Sequence, residues 1–175
     1  MEELVVRAKN GDEKAYTQLM LAIKNDLYKI CKTRIASDDD IDDIIQDTMI
    51  QTFKSIKKLK DNTKFKSWIV TILINNCNKL YKEKQKIKLI TNKFSYKQND
   101  REILIENNMI KSEDDMNFYQ LLDHLKYEEK VVIILYYSEK FKINEISKIL
   151  HINENTVKTR IYRAKEKIKE KIKEG

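Results

Sequence analysis

The stretch from Ile143 to Arg163, INEISKILHINENTVKTRIYR, decides the fold of the carboxyl-terminal part of the chain. Its apolar residues recur every three or four positions, which is typical of helices that bury one face. The predicted inward residues are Ile143, Ile146, Ile149 and Leu150 in a first helix, and Val157 and Ile161 in a second. Between the helices, His151-Ile152-Asn153 predicts a turn, and Asn153 is a residue type that caps helix N-termini. The stretch therefore predicts a helix-turn-helix.

The second helix of this motif is polar and cationic on its outward face. In a helix-turn-helix that helix enters the major groove of DNA, where Asn and Arg pair with base edges and Lys neutralises phosphates. The residues expected to reach DNA are Asn155, Thr156, Lys158, Thr159, Arg160 and Arg163. A helical hairpin used only for packing is the alternative, but it gives no reason for so many cations on one helix.

The composition extends the helical prediction to the whole chain of 175 residues. Two glycines and no proline leave few residues suited to tight hairpin turns, and 41% apolar residues can fill one medium or two small cores. We therefore expect an all-α fold with two small helical domains joined by a polar linker. The domains are predicted at residues 1–84 and 117–175, and the linker at residues 85–116.

The net charge of +7 is unevenly distributed along the chain. Residues 54–93 carry twelve Lys against one Asp and one Glu, and residues 155–173 carry eight basic against two acidic residues. Clustered cations neutralise phosphates, so two basic blocks predict two contacts with nucleic acid. Charge alone leaves open the alternative of a lysine-rich solvated surface.

Three further helices are predicted before the linker. The first covers residues 12–35, with Asp12 as its cap, and the second covers residues 41–59. The third follows a polar loop, Lys60–Lys66, and ends among lysines near residue 84. The inward residues are expected to be Ile41, Ile44, Ile45, Met49, Phe53 and Ile56 in the second helix, and Trp68, Ile69, Ile72, Leu73, Leu80 and Tyr81 in the third. Acidic and amide side chains occupy the outer face of the second helix.

The sequence gives no sign of a membrane segment or of catalytic chemistry. The longest apolar run, Val131–Tyr137, is too short to span a bilayer, and the N-terminus lacks the features of a signal peptide, so we expect a cytoplasmic protein without membrane insertion. That run could form a strand, but no partner strand is evident, so we expect a helix buried against its neighbours. Cys31 and Cys77 lack metal-ligand spacing with each other or with His124 and His151, which indicates ordinary helix residues. We expect no catalytic residue, metal, cofactor or small-molecule substrate.

Two blocks of the sequence resemble the extracytoplasmic-function group of bacterial RNA polymerase sigma factors. The segment YYSEKFKINEISKILHINENTVKTRIYRAKEKI, from Tyr136, resembles sigma region four. The segments DIDDIIQDTMIQTFKSI, from Asp40, and FKSWIVTILINNCNKLYKEK, from Phe65, resemble the polymerase-binding and promoter-melting helices of sigma region two. The two blocks stand in the family's order with a polar linker between them.

The resemblance implies a non-enzymatic subunit that gives RNA polymerase its promoter recognition. The face that would dock on the clamp coiled coil of the polymerase's largest subunit consists of Asp42, Asp43, Gln46, Asp47, Ile50 and Gln51. The residues that would recognise and open the minus-10 element are Asp61, Asn62, Phe65, Trp68, Asn75, Asn78, Lys79 and Lys82. Region four would recognise the minus-35 element. The implied partners are core RNA polymerase, promoter DNA and an anti-sigma factor.

This sequence departs from the family pattern at a few positions. Family members commonly have an acidic residue where Lys79 stands, Arg where Lys82 stands and Gly where His151 stands. The first departure leaves the minus-10 base preference open, and the last should alter the turn without abolishing it.

Two other classes of protein remain as alternatives. A stand-alone helix-turn-helix repressor or activator would share the carboxyl-terminal block, but it would need a sensor or dimerisation domain. An enzyme, such as a small basic nuclease, is the second class. The run Asp39–Asp43 fits the DDxxD pattern by which prenyl-transferring enzymes bind magnesium, although the chain is short and has no second such motif.

Overall fold

The computed structural model describes residues 1–91 and 121–174. All the regular secondary structure in these two stretches is helical, and neither stretch contains a strand. The all-α prediction is therefore confirmed. They belong to two separate compact units. Within the described stretches, no helix combines the length and apolarity needed to cross a bilayer.

The described part of the amino-terminal unit contains helices α1, Glu2–Lys9; α2, Glu13–Lys32; α3, Asp38–Ser55; and α4, Phe65–Thr91. Two short 3-10 turns, Ile56–Lys58 and Asn62–Lys64, connect α3 to α4. Asp12 caps α2 as predicted, because its carboxylate accepts a hydrogen bond of 2.9 Å from the backbone N–H of Ala15. Helix α4 runs beyond the predicted boundary at residue 84, and most of the predicted linker lies outside the described residues.

The core of this unit lies between α2, α3 and α4. Its fully buried large side chains include Leu19, Ile23, Leu27, Ile30, Ile41, Ile56, Phe65, Ile69 and Leu73. Burial of each such side chain contributes about 1.5–3 kcal/mol, so this apolar interior provides the main force that holds the helices together.

Two residues predicted to point inward lie at the surface instead. Phe53 is 55% exposed and Tyr81 is 38% exposed, with the Arg34 guanidinium 3.9 Å above the Tyr81 ring. Besides its inward isoleucines, α3 buries Thr48 and Thr52, which follow Ile44 by one and two turns of the helix. The prediction favoured apolar side chains, but the helical period places these two threonines on the buried face, where Thr48 accepts a hydrogen bond from Asn76 of α4.

The carboxyl-terminal unit contains α5, Tyr127–Ile133; α6, Ile143–Leu150; and α7, Glu154–Glu174. A π-helical turn, Ile134–Ser138, extends α5. The apolar run that could have formed a strand is therefore helical, as predicted, and its aliphatic residues Val131–Leu135 are all buried. This buried segment gives α6 and α7 the surface on which they pack.

Candidate nucleic-acid interface

Helices α6 and α7 form the predicted helix-turn-helix. His151 ends α6 in the left-handed conformation with φ of 53°, at the position where the resemblance led us to expect glycine. The Ser147 hydroxyl donates a bond of 2.6 Å to the Ile152 carbonyl, and the Ile152 N–H donates one of 3.1 Å to the Ser147 carbonyl. Asn153 caps α7 by accepting a bond of 2.7 Å from the Thr156 N–H. The histidine is accommodated, and the turn is intact.

The outward face of α7 carries the predicted DNA residues in the predicted order. Asn155, Lys158, Thr159 and Arg163 are exposed, whereas Thr156 and Arg160 are half-buried. Both threonine hydroxyls are bound within the chain, since Thr156 donates to the Asn153 side chain at 2.9 Å and Thr159 donates to the Asn155 carbonyl at 2.8 Å. The asparagine, lysine and arginine side chains therefore hold most of the hydrogen-bonding capacity of this face.

Tyr162 is a residue of this face that the sequence reasoning missed. Its side chain is 65% exposed, one residue beyond the buried Ile161 and one before Arg163. An aromatic residue is usually assigned to a core, and only the register of the helix indicates that this one points outward. It adds an aromatic ring to the predicted DNA-contacting face, whose other members are polar.

The predicted acidic face of α3 is fully at the surface. Its members are all exposed: Asp42, Asp43, Gln46, Asp47, Ile50 and Gln51. Ile50 is 46% exposed, and the exposed ring of Phe53 lies one turn further along, in edge contact with Tyr16 at a centroid distance of 5.1 Å. The face therefore combines carboxylates with an apolar end, which suits docking against another protein.

The aspartates at the start of α3 pair with lysines of this same unit. Asp38 accepts hydrogen bonds of 2.8 Å from Lys32 and from the Tyr28 hydroxyl, which lower the pKa of its carboxyl group. Asp40 pairs with Lys84 of α4. Among the described residues, no group of three or more His, Cys, Asp or Glu side chains could hold a metal ion, so the DDxxD alternative gains no support.

The loop before α4 is held by hydrogen bonds on both sides. Asp61 caps the short turn, because its carboxylate accepts from the Thr63 N–H at 3.0 Å and from the Thr63 hydroxyl at 2.6 Å, which lowers the pKa of the Asp61 carboxyl group. On the other side, the Lys9 ammonium of α1 donates to the Leu59 carbonyl at 2.7 Å and to Asn62 Oδ1 at 2.9 Å. No local pattern predicts this contact, since about fifty positions separate Lys9 from the loop.

One residue proposed for the minus-10 surface proves to be part of the core. Phe65 is only 1% exposed, because it begins α4 on the face that packs against the rest of the unit. Trp68 is half-buried, with its ring centroid 6.2 Å from that of Phe65. The prediction that Phe65 contacts DNA is therefore withdrawn.

The remaining predicted residues of α4 stay at the surface. Asn75, Lys79 and Lys82 are exposed, and Asn78 is half-buried. Their spacing of three and four residues places them along one side of the helix. This side of the helix extends past residue 84, the predicted end of the domain, because α4 itself continues to Thr91.

The two cysteines meet in the core of the amino-terminal unit. The Cys31 and Cys77 Sγ atoms are 3.3 Å apart, and both residues are buried free thiols. The hydrogen bond with Cys77 and burial raise the pKa of the Cys31 thiol. They belong to helices α2 and α4, and the spacing of the sequence did not predict their contact.

The fold and these surfaces define an all-helical, two-unit protein with a helix-turn-helix. Two family models match the chain, "Sigma-70 region 2" over residues 19–87 and "Sigma-70, region 4" over residues 115–168. Together they cover well over half of the sequence. The chain belongs to the sigma-70 family, in its extracytoplasmic-function group.

Similar proteins and solved structures agree with this assignment. RNA polymerase sigma factor SigV of Bacillus subtilis is 31% identical over 144 residues, which cover 81% of each chain. ECF RNA polymerase sigma factor SigW of the same species is 25% identical over 99% of this chain and 97% of its own. The solved structure of the sigma factor RpoE with the anti-sigma factor NepR from Bartonella quintana matches with a TM-score of 0.71, 20% identity and coverage of 91% and 98%.

Proposed function

We propose that this chain binds core RNA polymerase and directs transcription initiation at promoters that it recognises through two DNA surfaces. One observation carries the proposal: a helix-turn-helix with an exposed cationic helix occurs on the same chain as an acidic helix face and a lysine-lined helix. A repressor would need only the first of these surfaces. Sigma factors are transcription initiation factors, and the proposal requires no bond-making chemistry of this chain.

The minus-35 element is the proposed ligand of α7. Four of its predicted residues, Asn155, Lys158, Thr159 and Arg163, are exposed, and Arg160 is partly so. Arg and Asn can read base edges in the major groove, while Lys neutralises phosphates. Asn153 supports this role indirectly, because its cap fixes the first turn of the helix that would enter the groove.

The acidic face of α3 is the proposed polymerase-binding surface. Carboxylates at Asp42, Asp43 and Asp47 would complement basic residues on the clamp coiled coil of the largest polymerase subunit. The exposed Ile50 supports this assignment, since a fully charged face would lack the apolar contact that stabilises most protein interfaces.

The minus-10 element is the proposed ligand of the loop before α4 and of the polar side of α4. Opened strands expose bases that polar pockets can capture, while lysines bind the backbone. The candidates are Asp61, Asn62, Trp68, Asn75, Asn78, Lys79 and Lys82, without Phe65. Trp68 stays among the candidates because part of its surface is exposed.

The cytoplasm is the proposed site of action, because the polymerase works there.

An anti-sigma factor is the proposed regulator. Two similar solved structures support this proposal: one contains a sigma factor with an anti-sigma factor, and the other contains CnrH with the cytosolic domain of CnrY. The CnrH structure matches with a TM-score of 0.68 and 20% identity, over 98% of this chain and 96% of its own.

The test is transcription with purified core polymerase and genomic DNA, with and without this protein, followed by mapping of RNA start sites. New starts preceded by two spaced sequence blocks are expected. A variant with Asp43→Lys and Asp47→Lys should lose these starts and co-elution with core polymerase, and Glu13→Lys, a reversal elsewhere in the same unit, should keep both. Sequence-specific DNA binding without new starts would instead establish a repressor or activator.

A further inference from the structure

The contact between Lys9 and Asn62 fixes the orientation of a side chain in the proposed minus-10 loop. A lysine ammonium group has only hydrogen-bond donors, so the Asn62 atom 2.9 Å from Lys9 must be the amide oxygen. The amide nitrogen, Nδ2, then points away from Lys9. Within the described residues it has no protein acceptor, so its two N–H donors remain for a ligand.

Three further bonds make this orientation rigid. Lys9 also donates to the Leu59 carbonyl at 2.7 Å, so one ammonium group links the residue before the loop to Asn62 within it. The Asp61 carboxylate accepts two bonds from Thr63, which fix the backbone on either side of Asn62. Lys9 itself is half-buried in the last turn of α1. An amide held in this way turns its donors, rather than its acceptor, toward a ligand that approaches from the side opposite Lys9.

We propose that Lys9 is a positioning residue that makes Asn62 select a keto base, thymine or guanine, within the minus-10 element. The inference rests on the proposed function and names the base class that this loop recognises. Thymine and guanine carry carbonyl oxygens at O4 and O6, where cytosine and adenine carry amino groups. Where Nδ2 meets this position of the ring, its fixed donors complement a carbonyl oxygen and face an amino group with another donor. A freely rotating asparagine would accept either class.

Substitutions at the two positions should change the base preference in different ways. In Lys9→Met the aliphatic stem remains but the ammonium group is lost, so the Asn62 amide can rotate and the preference for keto bases should disappear. In Asn62→Asp, Lys9 stays paired with one carboxylate oxygen while the other presents an acceptor, so the preference should move to amino bases. Lys14→Met removes an exposed lysine from α2 of the same unit and should keep the wild-type preference.

The experiment uses the full chain with core polymerase and a template library randomised across the minus-10 region. Base frequencies in transcribed templates are the measurement, and thermal unfolding midpoints are recorded for each variant. Wild-type protein should enrich keto bases at one or more positions. Lys9→Met should reduce that enrichment ratio about tenfold, which corresponds to about 1.4 kcal/mol. Loss of folding would lower all transcription without changing the base ratio.

The outcomes separate this inference from the proposed function. Absence of specific initiation by the wild-type protein would overturn the proposed function. Specific initiation without keto enrichment at any minus-10 position, or unchanged enrichment in Lys9→Met, would overturn the role of Lys9 alone. If Lys9→Met does not fold, Asn62→Asp provides the test, because it keeps the contact with Lys9. A retained preference of Asn62→Asp for keto bases would contradict the inference. A shift of its preference to amino bases would support it.

Discussion

Glu129 of α5 and Lys167 of α7 form an ion pair in which both carboxylate oxygens accept from the ammonium group at 2.8 Å. Glu129 is buried, and it also accepts from the Lys126 backbone N–H at 3.1 Å. Burial raises the pKa of Glu129, but the bonds from Lys167 and Lys126 outweigh burial and hold the pKa below its ordinary value of 4.5. The ionised Glu129 carboxylate therefore stabilises the folded state fully above pH 4.5. This stabilisation is lost as the pH falls through the pKa of Glu129 in the folded protein.

Substitution of this glutamate should destabilise the carboxyl-terminal unit. We expect Glu129→Gln to lower the free energy of unfolding at pH 7 by about 1–2 kcal/mol, discounted for the partial exposure of Lys167. The difference from wild type should shrink at acidic pH in urea denaturation followed by circular dichroism. Glu166→Gln, which breaks the exposed pair with Lys169, should cost far less. Equal losses in the two variants would contradict a special role for Glu129.

Removal of the hydroxyl from the two buried threonines of α3 should change the stability of the protein in opposite directions. Thr48 Oγ1 donates to the Ile44 carbonyl at 2.7 Å and accepts from Asn76 at 3.0 Å, whereas Thr52 Oγ1 has no hydrogen-bond partner within the described stretches. We expect Thr48→Val to lower the free energy of unfolding by about 1–2 kcal/mol, because Asn76 loses its acceptor. Thr52→Val should raise it by up to about 1 kcal/mol, since it removes an unsatisfied polar atom.

Urea denaturation of the two valine variants under identical conditions provides the measurement. Each substitution removes the same group from the same helix, so differences in helix propensity cancel. A loss of stability in Thr52→Val comparable to that in Thr48→Val would mean that the Thr52 hydroxyl has a partner.

Replacing the left-handed residue of the helix-turn-helix, His151, with glycine should stabilise the carboxyl-terminal unit. His151 has φ of 53°, a conformation in which a side chain is strained and glycine is not. We expect His151→Gly to raise the free energy of unfolding by about 0.5–1 kcal/mol, after allowance for the more flexible unfolded chain. Lys148→Gly, in the interior of α6, should lower it by about 1 kcal/mol. Thermal unfolding of both variants checks the prediction, and a loss in His151→Gly would show that the imidazole has a stabilising contact.

Two residues of α7 should affect promoter binding in different ways. Arg160→Ala should weaken binding of the polymerase complex to its minus-35 element by about 1–3 kcal/mol and relax base preference there, if the guanidinium reads a base. Lys158→Ala should weaken binding to all sequences alike and reduce the slope of log K against log salt by about 1. Footprinting and titration at several salt concentrations distinguish them, with Lys173→Ala as a control. Unchanged footprints and start sites in Arg160→Ala would remove it from the recognition surface.

Local patterns in the sequence were enough to predict much of this fold. The helix-turn-helix followed from the period of its apolar residues and from Asn153, because a cap and a turn depend on neighbouring residues. Asp12 was recognised as a cap for the same reason. The roles of the outward residues on α3 and α7 remain predictions, although their exposure agrees with the helical period.

Contacts between distant parts of the chain could not be predicted. Nothing near Lys9 indicates that it reaches Asn62, and the direction of Phe65 depends on how α4 meets its neighbours. An aromatic residue next to an apolar run is equally compatible with burial and with exposure, which is why Phe53 was placed incorrectly. These features depend on tertiary packing, which single-sequence periodicity does not encode.

The contact between Cys31 and Cys77 has a practical consequence. The chain contains only these two thiols, and both lie in the core of the amino-terminal unit, out of reach of alkylating reagents in the folded state. A raised pKa further reduces the reactive thiolate at Cys31. The rate of alkylation therefore reports how often this one unit opens, whatever the state of the other. The chain thus contains its own probe of local unfolding in the amino-terminal unit, and no label has to be introduced.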